Sequence, residues 1–129
     1  TEERIIDTPK EPAVPDEHSP INLLERAETN FNSLQVKNNS KAYETWLSHE
    51  SILTRHGFLP AATSAERRSV IVSTPAGIKY TMDGFGISII PDMGYTYGKS
   101  ITGGKTENYL RIWRREKNGW RIAVEVLRY

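Results

Sequence analysis

The chain has no cysteine among its 129 residues, which excludes disulfides, thiolate metal centres and a cysteine nucleophile. No apolar run approaches the ~18 residues a membrane-spanning helix needs, and none near the start has the character of a secretory leader. Charge of one sign is also missing, because 17 lysines and arginines face 16 aspartates and glutamates, a formal net charge of +1. That balance argues against an electrostatically driven binder of nucleic acid or of an anionic membrane. Metal ligands are scarce. His49 and His56, with Glu50 between them, match no metal-binding spacing that carries a mechanism, so neither a metal nor a cofactor is expected.

A 37% hydrophobic content over this length suits one domain with one core. Residues 1–19 carry three prolines and a dense mixture of charges with no sustained period, which predicts a flexible tail; residues 20–129 form the domain. The chain starts at Thr1 and not at a methionine. Export to the periplasm or medium after loss of a leader is therefore one expectation for the compartment, and the cytoplasm is the other.

Ser19 followed by Pro20 marks a helix start, and Ile21, Leu24, Ala27, Glu28, Phe31 and Leu34 recur at helical spacing. Asn38-Asn39-Ser40 breaks that helix, with Ser40 as cap of a second, short one that buries Ala42, Tyr43, Trp46 and Leu47. Glu50 falls at the end of this helix. A short strand over Ser51 to Arg55 follows, then a helix over Ser64 to Ser73 capped by Ser64, then a long strand from Ile78 to Ile90 interrupted at Asp83-Gly84 and Gly86.

The last third predicts a meander. Gly103-Gly104 and Asn118-Gly119 are hairpin turn signals that join runs over Tyr95 to Thr102, Tyr109 to Glu116 and Trp120 to Arg128. The resulting class is α+β, with helices packed on one face of a curved antiparallel sheet. Strict alternation puts Tyr109, Arg111 and Trp113 on one face, with Tyr97 as a candidate to join them. It puts Trp120, Ile122, Val124 and Val126 together on the last strand, opposite Arg121 and Glu125.

Phe31-Asn32-Ser33-Leu34 and Lys41-Ala42-Tyr43 in the paired helices, then Gly94 to Gly98, Asn108 to Trp113 and Gly119 to Ile122 in the meander, give residues 20–129 a pattern that resembles the nuclear transport factor 2-like superfamily. That group includes polyketide cyclases of the SnoaL type and ketosteroid isomerases, and the likeness is strongest to a bacterial branch of small domains of unknown function. The resemblance implies a cone-shaped fold whose sheet wraps around the helices, leaving a largely apolar cavity at the open end. It implies less about activity, since such folds serve as isomerases, cyclases, binding modules and assembly domains.

Ketosteroid isomerase chemistry needs a carboxylate base and an oxyanion hole built from a tyrosine and a protonated acid. Aligned on that pattern, Arg55 stands near the base position and Phe31 near the tyrosine position, so the machinery is missing. A ligand-binding set remains: Arg55, able to clamp a carboxylate or to pair with Glu50 or Asp83, together with Tyr97, Tyr109, Arg111 and Trp113. The expectation is a binding domain for a small hydrophobic or amphipathic molecule with an aromatic-lined cavity. The alternatives are a SnoaL-like isomerase or cyclase using Asp83, Glu50 or Glu125, and an assembly module whose cavity its own side chains fill. Both sheet faces are apolar enough to want burial, which predicts a homodimer that covers the outer one.

Overall fold

The computed structural model describes residues 19–88 and 92–129. The expected tail up to residue 18, and Ile89 and Ile90 at the end of the expected long strand, lie outside the described residues.

Helix α1, Pro20–Lys37, starts where the sequence places it: the Ser19 side chain accepts from the Asn22 amide at 3.4 Å, and proline opens the first turn. Its buried positions are Leu24, Ala27, Glu28, Phe31 and Gln35, an apolar stripe carrying two polar side chains into the core. Helix α2, Asn39–Trp46, is capped by Asn38 and not by Ser40. The Asn38 carboxamide accepts from the Lys41 amide at 3.1 Å, which satisfies the same third-position donor a serine cap would reach. Strand β1, Leu47–Arg55, follows α2 without a loop. It begins four residues earlier than the sequence suggests, so Glu50 is an exposed strand residue and does not end a helix. Helix α3, Ser64–Ser73, has Thr63 as its cap, in a capping box with Glu66, in place of the expected Ser64.

Strands β2 (Lys79–Ile87), β3 (Met93–Thr102), β4 (Lys105–Glu116) and β5 (Gly119–Leu127) complete one sheet in the order β1-β5-β4-β3-β2. The meander is antiparallel, as expected. β1, however, runs parallel to β5, so the sheet is mixed where the sequence suggested a wholly antiparallel one. The parallel pair is reached through a long crossover comprising α3 and the other three strands, the kind of connection parallel neighbours require. Gly103 and Gly104 close the β3–β4 hairpin with φ of 56° and 81°, both in the left-handed region a tight primed turn demands. The last turn is shifted by one residue from the expected site: it consists of Lys117 and Asn118, and Gly119 opens β5 at φ 109°.

One irregularity decides what faces inward. Ile112 pairs with Val124, whereas Trp113 pairs with Ile122, leaving Ala123 as an extra residue in β5. A bulge reverses side-chain parity beyond it. Trp120 and Ile122 point inward before the bulge, and Glu125 and Leu127 are buried after it, so Val124 and Val126 turn to the outer face. Uninterrupted alternation along β5 is thus corrected, and a carboxylate enters the interior.

The inner core joins Leu24, Phe31, Tyr43, Leu53, Trp113 and Ile122, with Phe31 and Tyr43 meeting edge to face at 5.1 Å. A second cluster at one end unites Ile78, Tyr109 and Leu127 with the partly buried Tyr80 and Tyr129. The outer face is ordered differently. Two cross-strand rows traverse all five strands: Ile52–Val124–Ile112–Tyr95–Gly86 and Thr54–Val126–Leu110–Tyr97–Gly84. At their far end the two tyrosines stack on each other, with centroids 6.2 Å apart, and lie across β2. A Cβ added at Gly84 or Gly86 would fall about 2.5 Å from a tyrosine hydroxyl, so those glycines are where the rings rest.

Candidate functional site

The inner face of the sheet carries a buried charge network whose members come from six elements, α1, α2, β1, β3, β4 and β5, and from Thr74 just after α3. Arg111 of β4 is fully buried and opposes Glu125 across the β4–β5 ladder, its Nε 2.8 Å from Oε2. Its Nη1 donates to Glu28 Oε2 of α1 at 2.7 Å and to Asn32 Oδ1 at 2.9 Å. Arg55, at the end of β1, places Nη2 2.9 Å from the other Glu125 oxygen and donates to the Tyr43 hydroxyl and to Thr74 Oγ1. Tyr43 in turn donates to Glu125 at 2.7 Å. Glu28 is saturated as well: Thr96, Tyr109 and Asn32 donate to it besides Arg111. Trp113 Nε1 donates to Thr96 Oγ1 at 2.9 Å, which orients the hydroxyl that holds Glu28. Two guanidinium groups and two carboxylates thus neutralise each other in the dry interior, the condition under which buried charge is tolerated.

Arg111 also occupies the middle of the cone. Its guanidinium carbon lies 4.5 Å from the ring centroid of Phe31 and 4.6 Å from those of Tyr80 and Tyr109, a three-sided cation–π cage. Aromatic rings line the interior, but where the resemblance implies a largely apolar cavity the wall encloses charge and the centre is taken by the protein's own side chain. Arg111 Nη2, the Tyr80 hydroxyl and Gln35 Oε1 have no hydrogen-bond partner among the described residues. The space that remains beside Arg55 is a cleft of about 80 Å³ bordered by Phe58, Val70 and Tyr129. A larger surface cleft of about 560 Å³ lies between α2, α3 and the start of β1, and Tyr43 belongs both to its lining and to the network.

The electrostatics follow from this packing. Burial alone would raise the Glu125 carboxyl, but the guanidinium groups of Arg55 and Arg111 and the bonds they and Tyr43 make outweigh it and hold the carboxyl below the ordinary range. Burial drives the tyrosine hydroxyls the other way: Tyr80 is pushed up to about 12, and Tyr43 and Tyr109 are also raised, with the Glu125 and Glu28 charges adding to burial. Arg55 and Arg111 stay firmly protonated, since their carboxylate partners overcome the burial that would lower them. Proton transfer near neutral pH is best served by a group that titrates there. Glu125 is a weakened base with both oxygens engaged by cations.

Of the residues the sequence singles out, Arg55, Tyr109, Arg111 and Trp113 are brought together here. Tyr97 is not. It pairs with Leu110 on the outer face and is 45% exposed, because Gly98 and Thr96 take the inward positions beside Tyr109 and Arg111. Arg55 pairs with Glu125, and neither with Glu50, which is exposed, nor with Asp83, whose partner is Lys99 at 3.0 Å on the surface. The reasoning from sequence missed Glu28 as a network member, although a carboxylate standing within the apolar stripe of α1 was the available signal.

No family model and no curated protein matches the chain. Solved structures do. A ketosteroid isomerase-like protein from Erwinia carotovora atroseptica superposes with a TM-score of 0.68 at 14% identity, covering 86% of this chain and 96% of that one. An NTF2-like protein with a cystatin-like fold from Novosphingobium aromaticivorans gives 0.56 at 14% identity, over 88% and 91%. The CaMKII hub of S. rosetta gives 0.64 at 16% identity, over 88% and 97%. At these identities the likeness fixes the fold: the chain has the α+β architecture of NTF2-like and ketosteroid isomerase-like proteins.

Proposed function

We propose that the chain is a non-catalytic interaction domain that self-associates as a homodimer through the outer face of its sheet. The carrying observation is the pair of cross-sheet rows, in which Ile52, Leu110, Ile112, Val124, Val126, Tyr95 and Tyr97 form one apolar and aromatic surface, with Tyr95 and Tyr97 42% and 45% exposed. The two stacked rings still present a broad apolar surface to solvent, and an interface core is enriched in tyrosine and depleted in charge. The cone interior supports the same reading, because Arg111 and its cage fill the centre and the cleft beside Arg55, about 80 Å³, is far below the ~300 Å³ usual for ligand sites. One structure sharing the fold is described as a hub. Sedimentation of the full chain is expected to give a dimer that Leu110→Glu or Tyr97→Glu converts to a monomer with unchanged far-UV circular dichroism. A monomer at ~100 μM, or a dimer indifferent to both substitutions, refutes the proposal.

A second reading, a binding domain for a small amphipathic molecule seated at Arg55, has its own observation. Among the described residues three polar atoms around the network lack partners, and an unmatched buried polar group costs roughly 1–3 kcal/mol. Helix α3, which borders the cleft, has no fully buried residue. Native mass spectrometry of the purified protein tests this: a discrete adduct lost in Arg55→Met supports it, and a bare mass at every concentration counts against it.

A further inference from the structure

A groove of about 300 Å³ opens between α1, the end of α2 and the β4–β5 hairpin, and none of its lining residues belongs to the buried network or to the outer sheet rows. Leu23, Trp46 and Trp120 supply its apolar surface and Arg26, Arg115 and Arg121 its charge, with no carboxylate among the described residues that line it. The larger cleft between α2 and α3 differs, because Glu44 stands there with Arg67 and Arg68. The hairpin beside the groove is rich in cations: Arg114, Arg115, Lys117 and Arg121 accompany one acid, Glu116. The register sets Arg114 directly opposite Arg121, and like charges so placed weaken a ladder. Glu116 lies 3.6 Å from Arg114. Among the described residues, neither Arg115 nor Arg121 has an acidic partner, so an anion seated here offsets a repulsion left standing within the hairpin.

Arg121 is held in place before any ligand arrives. Its Nη1 donates to the Trp120 carbonyl at 2.8 Å and its guanidinium carbon lies 5.3 Å from the centroid of the Trp46 ring, while Nε and Nη2 keep hydrogens for a further acceptor. The rings are fixed as well: Trp46 packs edge to face on Trp113 at 6.2 Å, and Trp120 Nε1 donates to the Pro20 carbonyl at 3.1 Å. A guanidinium ordered in advance beside ordered rings spares the entropy that binding otherwise costs. We propose that this groove binds a compact aromatic carboxylate, its acid group on Arg121 and Arg115 and its ring against Trp46 and Trp120. A carboxylate matches the fork of a guanidinium, and indole surfaces favour an aromatic partner over an aliphatic one of equal area. The volume, at the lower end of the ~300–1,000 Å³ usual for ligand sites, selects for small ring systems.

The test is a titration of the full chain with 2-naphthoate, followed by heteronuclear NMR on the assigned indole N–H signals of Trp46, Trp113 and Trp120. The signals of Trp46 and Trp120 are expected to shift saturably, with half-saturation below about 1 mM, and that of Trp113, in the core, to move least. The neutral isostere 2-naphthamide is expected to bind at least about tenfold more weakly, and about 0.5 M salt to narrow that gap. Arg115→Gln/Arg121→Gln, checked for folding by circular dichroism, is expected to lose about tenfold in affinity for the acid and little for the amide. Equal affinity of acid and amide overturns the proposal even if the variant does not fold, since the groove is then an apolar crevice only. Absence of a saturable shift up to about 10 mM, or a folded variant that binds the acid undiminished, overturns it as well.

Discussion

Strand β4 shows two ways of using one sheet. Its odd residues Tyr109, Arg111 and Trp113 are at most 3% exposed and are tied by hydrogen bonds to α1, β3 and β5. Its even residues Leu110, Ile112 and Arg114 are half-buried on the other side, where Leu110 and Ile112 stand beside valines and tyrosines. The inner face is specified by directional bonds, which fail when one partner is lost. The outer face is specified by area alone, which tolerates change in the single chain and matters when two chains meet.

Breaking the inner face should therefore cost most. Glu125→Gln leaves Arg55 without its carboxylate and Arg111 with Glu28 alone, and urea unfolding is expected to show a loss of about 3–5 kcal/mol. Acid should act on the same carboxyl. Its folded value lies below its unfolded one, so its contribution is fully present above the ordinary carboxylate value of ~4.3 and drains as pH falls through the folded value; melting temperature should drop across that window in the unaltered protein and less in Glu125→Gln. At the alkaline end the sign reverses: Tyr80, raised to about 12, favours folding up to its ordinary ~10 and loses that contribution as pH rises from there towards 12. Tyr43→Phe removes one bond to Glu125 and one from Arg55, a smaller loss of roughly 1–3 kcal/mol by the same unfolding measurement. The smallest change belongs to the outer face, where Tyr97→Ser should shift unfolding of the isolated subunit by only about 0.5 kcal/mol while weakening dimerisation severalfold in sedimentation. An outer-face substitution as costly as Glu125→Gln in a verified monomer would erase the distinction between the faces.

The sequence announces the elements whose causes are local. Ser19-Pro20, Gly103-Gly104 and the alternation of β4 each act within a few residues, and the α1 start, the β3–β4 hairpin and the common face of Tyr109, Arg111 and Trp113 correspond to them, while alternation alone does not say which face is inward. It conceals what depends on distant pairing. The bulge at Ala123 lies in a strand paired with both β4 and β1, and no turn residue marks it; hence the sequence puts Glu125 on the face opposite Trp120 and Ile122. Tyr97 is the same difficulty in another form, since whether it shares a face with Tyr109 depends on the β3–β4 register, which places Gly98 opposite Tyr109 instead. The direction of β1 was hidden too, because its partner lies about 70 residues downstream.

That last pairing has a consequence in time. β1 is made early and β5 last, yet they are neighbours in the finished sheet, and the Arg55–Glu125 contact spans the same interval. A chain emerging from a ribosome therefore holds Arg55 without its counter-charge, and Phe31 and Tyr43 without the wall they pack on, until its final strand is released. Closing so long a loop before any reward arrives is entropically slow. The domain should behave as all-or-none in synthesis: chains ending before Glu125 would be unfolded targets for chaperones or proteases, and completion of the last strand would commit the whole cone at once.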